Sequence, residues 1–173
     1  MSPLKTGFPP LVADDPRFLV LGSLPGDASI ACQEYYGHPT NRFWRVLAAV
    51  FGEETPVGYP AKKRFLARHR IALWDVCAAA RREGSLDANI QDETYNDLAA
   101  FLQAHPGIRA IALNGGAAAQ AFGRYCLRSP DTFRERIAGM KVLRFASTSA
   151  AAASWSFERL CGQWRALAEP EGR

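Results

Sequence analysis

The sequence lacks closely spaced cysteines, because its four cysteines are spread far apart and form no C-x-x-C pair. Zinc ribbons and four-cysteine iron–sulfur clusters usually draw their ligands from such pairs, so the spacing argues against both. No apolar run approaches the roughly 18 residues of a membrane span, and residues 1–15 show no basic start followed by an apolar run. We therefore expect a cytoplasmic protein with no metal, no cofactor and no membrane segment.

Several catalytic signatures are also missing. The chain has neither the G-x-G-x-x-G of a dinucleotide fold nor the G-x-x-x-x-G-K-[ST] of a phosphate loop. It also lacks the G-x-S-x-G of a serine hydrolase and the paired H-x-E and P-C-x-x-C motifs of a zinc base deaminase. These absences leave chemistry performed by ordinary side chains without a bound cofactor.

What the sequence does contain fits one compact domain over residues 1–173. The chain has 173 residues, of which 48% are hydrophobic and 22% charged, and this is enough for a core without disulfides. Its net charge of +4 suits an anionic partner such as nucleic acid. The same excess fits the solvated surface of a protein from an arginine-rich proteome equally well, so charge alone leaves both interpretations open.

The hydrophobic pattern predicts strands that alternate with helices. The predicted strands are Arg17–Leu21, Ile71–Val76, Ile108–Leu113 and Lys141–Phe145. The predicted helices are Phe43–Phe51, Tyr59–Arg70, Thr94–Ala104 with a capping box of Thr94 and Asp97, Gly116–Tyr125 and Phe157–Leu167. This alternation predicts an α/β fold, a three-layer α/β/α sandwich with a mostly parallel central sheet.

In open α/β sheets, ligands bind beyond the carboxyl ends of the strands. Four loops leave those ends here, and they hold the glycines, short polar residues and aromatics that no helix or strand pattern explains. They are Gly22–Asn41, Cys77–Glu93, Asn114–Gly116 and Ala146–Ser154. We expect the functional site to be built from these loops.

The first loop carries two motifs, Gly22–Ser29 (GSLPGDAS) and Tyr35–Trp44 (YYGHPTNRFW). Together they resemble the first active-site motif of the uracil-DNA glycosylase superfamily, and most closely its hypoxanthine (deoxyinosine) branch. That branch also has segments like Ala72–Val76, Arg82–Asp87 and Asn114-Gly115 in the same order. The resemblance implies a uracil-DNA glycosylase-like fold and a metal-free enzyme that flips a deaminated base, most simply hypoxanthine, out of DNA and hydrolyses its glycosidic bond.

The resemblance assigns catalysis to Asn41, which would position or polarise the attacking water. Relatives specific for uracil use an Asn or Asp inside the first loop, where this chain has Ser23 and Leu24. Neither residue suits that task, and the hypoxanthine branch uses the Asn of its H-P-x-N run instead, so Ser23 is the catalytic candidate that follows Asn41. Asn41 precedes a predicted helix, so it also suits the role of an N-cap. The two roles are compatible in one residue.

The same resemblance names the residues that would hold the base. Phe43 would be the platform on which it stacks, although this residue also begins the apolar face of its helix. Asp75 and Asn114 would read the base edge, or serve as a loop cap and a turn residue. Leu24 and Tyr36 complete the base-binding set.

Contacts with DNA are expected from His38 and from Ser147, Thr148 and Ser149 after the fourth strand. His38 would bind phosphate or brace its loop, and the serine-rich run could equally be a helix start. The branch has prolines where this chain has Ala146 and Ala150, so we expect a softer loop without a bulky wedge. The partner is thus DNA containing a deaminated base, bound by a monomer. Uracil or mismatched bases, or binding without catalysis, are the alternatives.

Overall fold

The computed structural model describes residues 1–169, so residues 170–173 of the predicted domain lie outside the described part. In chain order its strands are β1 (Leu4–Thr6), β2 (Phe18–Gly22), β3 (Ile71–Asp75), β4 (Cys77–Arg81), β5 (Gln91–Tyr95), β6 (Ala110–Asn114) and β7 (Lys141–Phe145). Its α-helices are α1 (Asp27–Cys32), α2 (Phe43–Val50), α3 (Tyr59–Arg68), α4 (Leu98–Ala104), α5 (Gly116–Arg128), α6 (Asp131–Ala138) and α7 (Phe157–Trp164). Short 3-10 turns cover Asp87–Asn89 and Arg165–Leu167.

The central sheet has the order β3-β2-β6-β7, and every neighbouring pair is parallel. Alternate residues of a strand point to opposite faces, and here both faces are buried. Leu19 and Leu21 pack with α4, α5 and α6, whereas Val20 packs with α2, α3 and α7. Helices therefore cover both faces of the sheet, which confirms the predicted three-layer α/β/α sandwich.

A second sheet, β1-β4-β5, is antiparallel and was not predicted. The sequence pattern predicts one loop over Cys77–Glu93 instead. The strand β4 reads CAAAR and β5 reads QDETY, so neither shows the alternation of large apolar and polar residues that indicates a strand. Pairing with β1, where Lys5 lies opposite Ala80, supplies the third strand of this sheet.

The predicted helix Thr94–Ala104 and its capping box are wrong at their amino end. Thr94 lies in β5, and its hydroxyl donates to the carbonyl of Ala79 at 3.2 Å. The helix begins at Leu98, and the side chain of Asp97 caps it by accepting from the amide of Ala100 at 2.9 Å. Strand pairing thus outweighed the local capping pattern.

The other predicted elements are present, the strand Lys141–Phe145 with its predicted bounds and the rest with shifted ends. The helix from Tyr59 stops at Arg68, and Arg70 then takes a left-handed φ of 58°. The helix α5 runs on to Arg128, whereas α1 and α6 were not predicted. Among residues 1–169, no helix has both the length and the apolar character to cross a bilayer.

The parallel register brings the carboxyl ends of the strands together. Gly22 lies opposite Asp75 at the ends of β2 and β3, and Asn114 lies opposite Phe145 at the ends of β6 and β7. The chain segments that leave these residues therefore start side by side along one edge of the sheet.

Candidate active site

A cavity of about 150 Å³ opens at this edge, where sequence reasoning had placed the site. A cavity of about this size in another protein holds benzene, so there is room for an aromatic ring. The predicted site residues that line it are Ser23, Leu24, Tyr36, His38, Asn41, Asp75, Asn114, Ser147 and Ser149. Phe43 and Thr148 do not line it, because both side chains are fully buried behind its wall.

The side chains of Asn41, Thr148 and Asn114 form one hydrogen-bonded network. The hydroxyl of Thr148 donates to Oδ1 of Asn41 at 2.9 Å and accepts from Nδ2 of Asn114 at 3.0 Å. The amide N–H of Thr148 donates to Oδ1 of Asn114 at 3.0 Å. Thr148 is 0% exposed, so water cannot replace these bonds. The side chain predicted to contact phosphate is thus buried and bonded inward, so the structure does not present it at the rim.

Asn41 also supplies a capping bond to α2, because its Oδ1 accepts the amide N–H of Phe43, the first helical residue, at 3.0 Å, although Arg42 is the residue that directly precedes the helix. With the bond from Thr148, both lone pairs of Oδ1 are used inside the protein. The amino group, Nδ2, is what Asn41 can offer to a molecule in the cavity. The hydrogen bonds within the protein therefore use the oxygen of the Asn41 amide, whereas a bound molecule would use its nitrogen.

The aromatic surface that faces the cavity belongs to Tyr36 rather than to Phe43. The two rings stack at 4.0 Å between centroids and 24° between planes, with Phe43 0% exposed. Phe43 therefore has no free face for a base and instead supports Tyr36. Tyr36 has a φ of 53°, in the left-handed region that non-glycine residues seldom adopt, so the surrounding structure holds this ring in a specific place.

Gly22 allows the polar groups behind this ring to approach the backbone. A Cβ at Gly22 would lie 2.4 Å from Oδ1 of Asp75 and 3.0 Å from the hydroxyl of Tyr36. No side chain fits between them, which explains the glycine at the end of β2. Leu24, two residues on, is buried in the same apolar cluster as Leu21 while still contacting the cavity.

Asp75 is a buried carboxyl group, and its Oδ2 makes no hydrogen bond among the described residues. Burial raises the pKa of Asp75 to about 7, the nearby charge of Asp87 adds to the rise, and Arg82 opposes it. The hydroxyl of Tyr36 is likewise buried without a well-formed hydrogen bond within that part of the chain. Burial and the charge of Asp75 raise its pKa, and the nearby side chain of Asn114 opposes the rise. Unpaired buried polar atoms are costly, so these two are available for a ligand.

Ser23 contacts a carboxylate that the sequence reasoning did not select. Its hydroxyl donates to Oδ1 of Asp87 at 2.8 Å, and Asp87 also lines the cavity. The guanidinium of Arg82, 0% exposed, lies 3.6 Å from the same oxygen. Arg82 also donates to the carbonyls of Leu24, at 3.4 Å, and Pro25. It thereby ties the loop after β2 to the chain that follows β4.

On the opposite side, Arg42 holds the loop after β7. Its guanidinium donates to the carbonyls of Ser149 at 3.0 Å, Ala152 at 3.4 Å and Trp155. The expected softness of this loop is therefore offset by Arg42, despite the alanines where the resembled branch has prolines. His38 braces its own loop, because Nδ1 accepts the amide N–H of Thr40 at 3.1 Å.

Comparison with known proteins identifies the family. A family profile described as the uracil DNA glycosylase superfamily matches residues 9–168. The chain belongs to this superfamily. It is 42% identical over 112 residues to a hypoxanthine DNA glycosylase of Methanosarcina barkeri, covering 64% of this chain and 71% of that protein. It is 43% identical over 113 residues to a protein of the same description from Methanosarcina acetivorans, covering 65% and 72%.

A solved structure supports the same fold. The solution NMR structure of a candidate uracil DNA glycosylase from Methanosarcina acetivorans has a TM-score of 0.77 and 34% identity to this chain. The alignment covers 96% of this chain and 99% of that one. The three-layer arrangement is thus that of the uracil DNA glycosylase superfamily.

Superfamily resemblance located nine of the residues that line the cavity, but it missed Asp87, which also lines it, and Arg42 and Arg82, which hold the loops around it. The motif Arg82–Asp87 was part of the resemblance, yet no role followed from it. The sequence did contain a signal for Asp87, because it is an acidic residue in a loop that leaves the carboxyl ends of the strands, where ligand sites lie. Nothing in the sequence indicated that Arg42 and Arg82 turn inward onto backbone carbonyls, since arginines are mostly exposed.

Asp75 should make the folded protein less stable as pH rises. The carboxyl pKa is 3.8 in a model compound and about 7 when buried here, so between these values the folded state binds more protons than the unfolded state. The resulting stabilisation is complete below the lower value and is lost as pH rises through the upper one, with a limiting slope of about 1.4 kcal/mol per pH unit.

Urea unfolding between about pH 5 and about pH 8 measures this slope. The wild-type protein should lose stability over the interval by more than the Asp75→Asn variant, in which this titration is absent. Identical pH profiles for the two proteins would show that Asp75 has an ordinary pKa.

Proposed function

We propose that this chain is a monofunctional DNA N-glycosylase that excises hypoxanthine from deoxyinosine and leaves an abasic site. The observation that carries the proposal is the cavity, in which the Tyr36 ring lies beside the unpaired carboxyl of Asp75 and the amides of Asn41 and Asn114. A flipped base needs one flat apolar face and polar partners at its edge, and this cavity has both. The two similar proteins from Methanosarcina are described as hypoxanthine DNA glycosylases.

In the proposed complex the base stacks on Tyr36, which Phe43 supports from behind. Hypoxanthine presents an acceptor at O6 and a donor at N1. Asp75 can accept from N1–H when ionised and donate when protonated, and a pKa of about 7 makes both forms accessible near neutrality. Asn114 has one N–H and one lone pair left over from its bonds to Thr148, and these remain for the base.

Water is placed by Asn41 and Ser23. The Nδ2 amino group of Asn41 donates to the water oxygen, and Ser23 accepts a water proton while its own hydroxyl donates to Asp87. As the bond from C1′ to the base breaks, the base leaves with the electron pair and the sugar becomes oxocarbenium-like. The water oxygen bonds to C1′, and its proton passes through Ser23 to Asp87. The negative charge of Asp87 also stabilises the cationic sugar.

The rim supplies the contacts with the DNA backbone. The hydroxyls of Ser147 and Ser149 each accept a backbone N–H, at 3.1 Å and 3.2 Å, so their own hydrogens are free to donate to phosphates. His38 accepts at Nδ1, so its Nε2–H can face a phosphate as well. We further propose that the protein acts as a cytoplasmic monomer and needs no metal or cofactor.

A lyase step through a lysine Schiff base does not fit this site. Among the described residues that line the cavity there is no lysine. Lys5 pairs with Asp27 and the carbonyl of Gly84, while Lys62, Lys63 and Lys141 lie outside the loops that form the site. Hydrolysis should therefore stop at the abasic product.

Oligonucleotides that each carry one inosine, uracil, xanthine or mismatched thymine test the proposed function. We expect release of hypoxanthine from the inosine strand, in the presence of EDTA, with strand breakage only after alkali. Preferential release of uracil or mismatched thymine would show that the protein has the substrate of another branch of the superfamily. DNA binding without release of any base at high protein concentration would identify an inactive relative and contradict the proposal.

Substituting Asn41 separates catalysis from helix capping. Asn41→Ala should slow base release by about 10²–10⁴-fold, the usual range for a group that assists proton transfer, and should cost about 1 kcal/mol of stability as a lost cap. Asp97→Ala is the matched control, because it removes the cap of α4 from a position outside the cavity. It should lower the melting temperature similarly and leave the single-turnover rate unchanged. If Asn41→Ala behaves like this control, Asn41 acts only as a cap.

A further inference from the structure

One apolar side chain stands exposed at the mouth of the cavity. Leu86 is 59% exposed and lies between Ser85 and Asp87, both of which line the cavity. It also lines an adjoining groove of about 240 Å³, whose other wall includes Ala150 and Ala151. Cavity and groove share part of their lining, so Leu86 lies on the path by which a base would enter.

A single exposed leucine is ordinary on a protein surface, so exposure alone carries no argument. Position distinguishes Leu86 from the other large apolar side chains exposed within residues 1–169. Those are Met1, Leu4, Val12, Val57 and Leu127, and none of them lines the cavity or its adjoining groove.

Three hydrogen bonds hold the chain on both sides of Leu86. The carbonyl of Leu86 accepts the amide N–H of Asn89 at 3.0 Å, which closes the turn after it. Ser85 accepts the amide N–H of Asp27 at 2.9 Å, and Gly84 accepts from Arg82 at 3.2 Å. A side chain carried on a fixed turn is preorganised for contact with a partner, since little freedom is lost on binding.

The part of the opposite rim that lines the groove is too small to fill a gap in a base stack, and Trp155, further along the same loop, is half-buried against the apolar core. Residues 150–153 are all alanine, and Arg42 holds this loop in place by bonding its carbonyls. When a nucleotide leaves the duplex it opens a hole between neighbouring bases, and proteins that distort DNA often insert leucine or a similar apolar side chain at such steps. Leu86 is the side chain at this mouth with the size and apolar character to do so.

We propose that Leu86 inserts into the duplex beside the extruded nucleotide and occupies the space that the base leaves. This rests on the proposed function, since it requires a flipped base in the cavity. The wedge thus comes from the loop between β4 and β5, while the loop after β7 contributes backbone contacts.

Leu86→Ala and Leu127→Ala, a matched pair of exposed leucines, test the proposal by single-turnover excision of hypoxanthine. On duplex DNA Leu86→Ala should be slower than wild type by about 10–100-fold, as expected when the burial of one leucine side chain is lost. On a single strand of the same sequence, where no stack has to be opened, its rate should equal that of wild type. Leu127→Ala, on α5, should match wild type on both substrates. Leu86→Met should restore most of the duplex rate.

A second readout does not depend on catalysis. With 2-aminopurine placed next to the inosine, Asn41→Ala should raise its fluorescence on binding duplex DNA, and the double variant with Leu86→Ala should not. Equal losses on duplex and single strands, or a Leu86→Ala protein that matches wild type on duplex DNA, would overturn the wedge while leaving the glycosylase intact. A wild-type protein that releases no base from either substrate would contradict the proposed function itself.

Discussion

The hydroxyl of Thr148 is the group on which the geometry of the site depends. It donates to Asn41 and accepts from Asn114, and so joins the loops that leave β2, β6 and β7. Because Thr148 is fully buried, each of these bonds would have to break without replacement by water if a loop moved. The network therefore fixes the amide of Asn41 relative to the ends of the strands. It leaves the Nδ2 amino group of Asn41 to face the cavity.

Two inward-facing arginines extend this constraint to the walls. Arg82 bonds carbonyls of the loop after β2, and Arg42 bonds carbonyls of the loop after β7. A planar guanidinium with five donors can bond several carbonyls at once. This suits loops, whose carbonyls lack the neighbouring strand that would bond them in a sheet. The chain thereby builds a rigid site from irregular segments. Rigid walls let polar groups act on a bound base without first having to be ordered.

Much of this could be predicted from the sequence, because the central strands are short apolar runs and the rule for ligand sites in parallel sheets is topological. The antiparallel sheet could not, since CAAAR and QDETY form strands only through their pairing. The burial of Phe43 behind Tyr36 had the same kind of origin. Both are aromatic residues of one motif, and only the packing shows which ring is buried. Likewise, the sequence marks Thr148 as a polar loop residue, but its partners are 34 and 107 positions away.

A double-mutant cycle on Asn41 and Thr148 tests the central claim most directly, with base release measured under single-turnover conditions. Thr148→Val keeps the shape of the side chain and removes the hydroxyl that orients Asn41. If Thr148 acts through Asn41, Thr148→Val should slow the wild-type enzyme but have little effect on Asn41→Ala, with a coupling free energy of about 0.5–3 kcal/mol. Losses that add independently in the double variant would contradict the account, because the two residues would then contribute to catalysis separately.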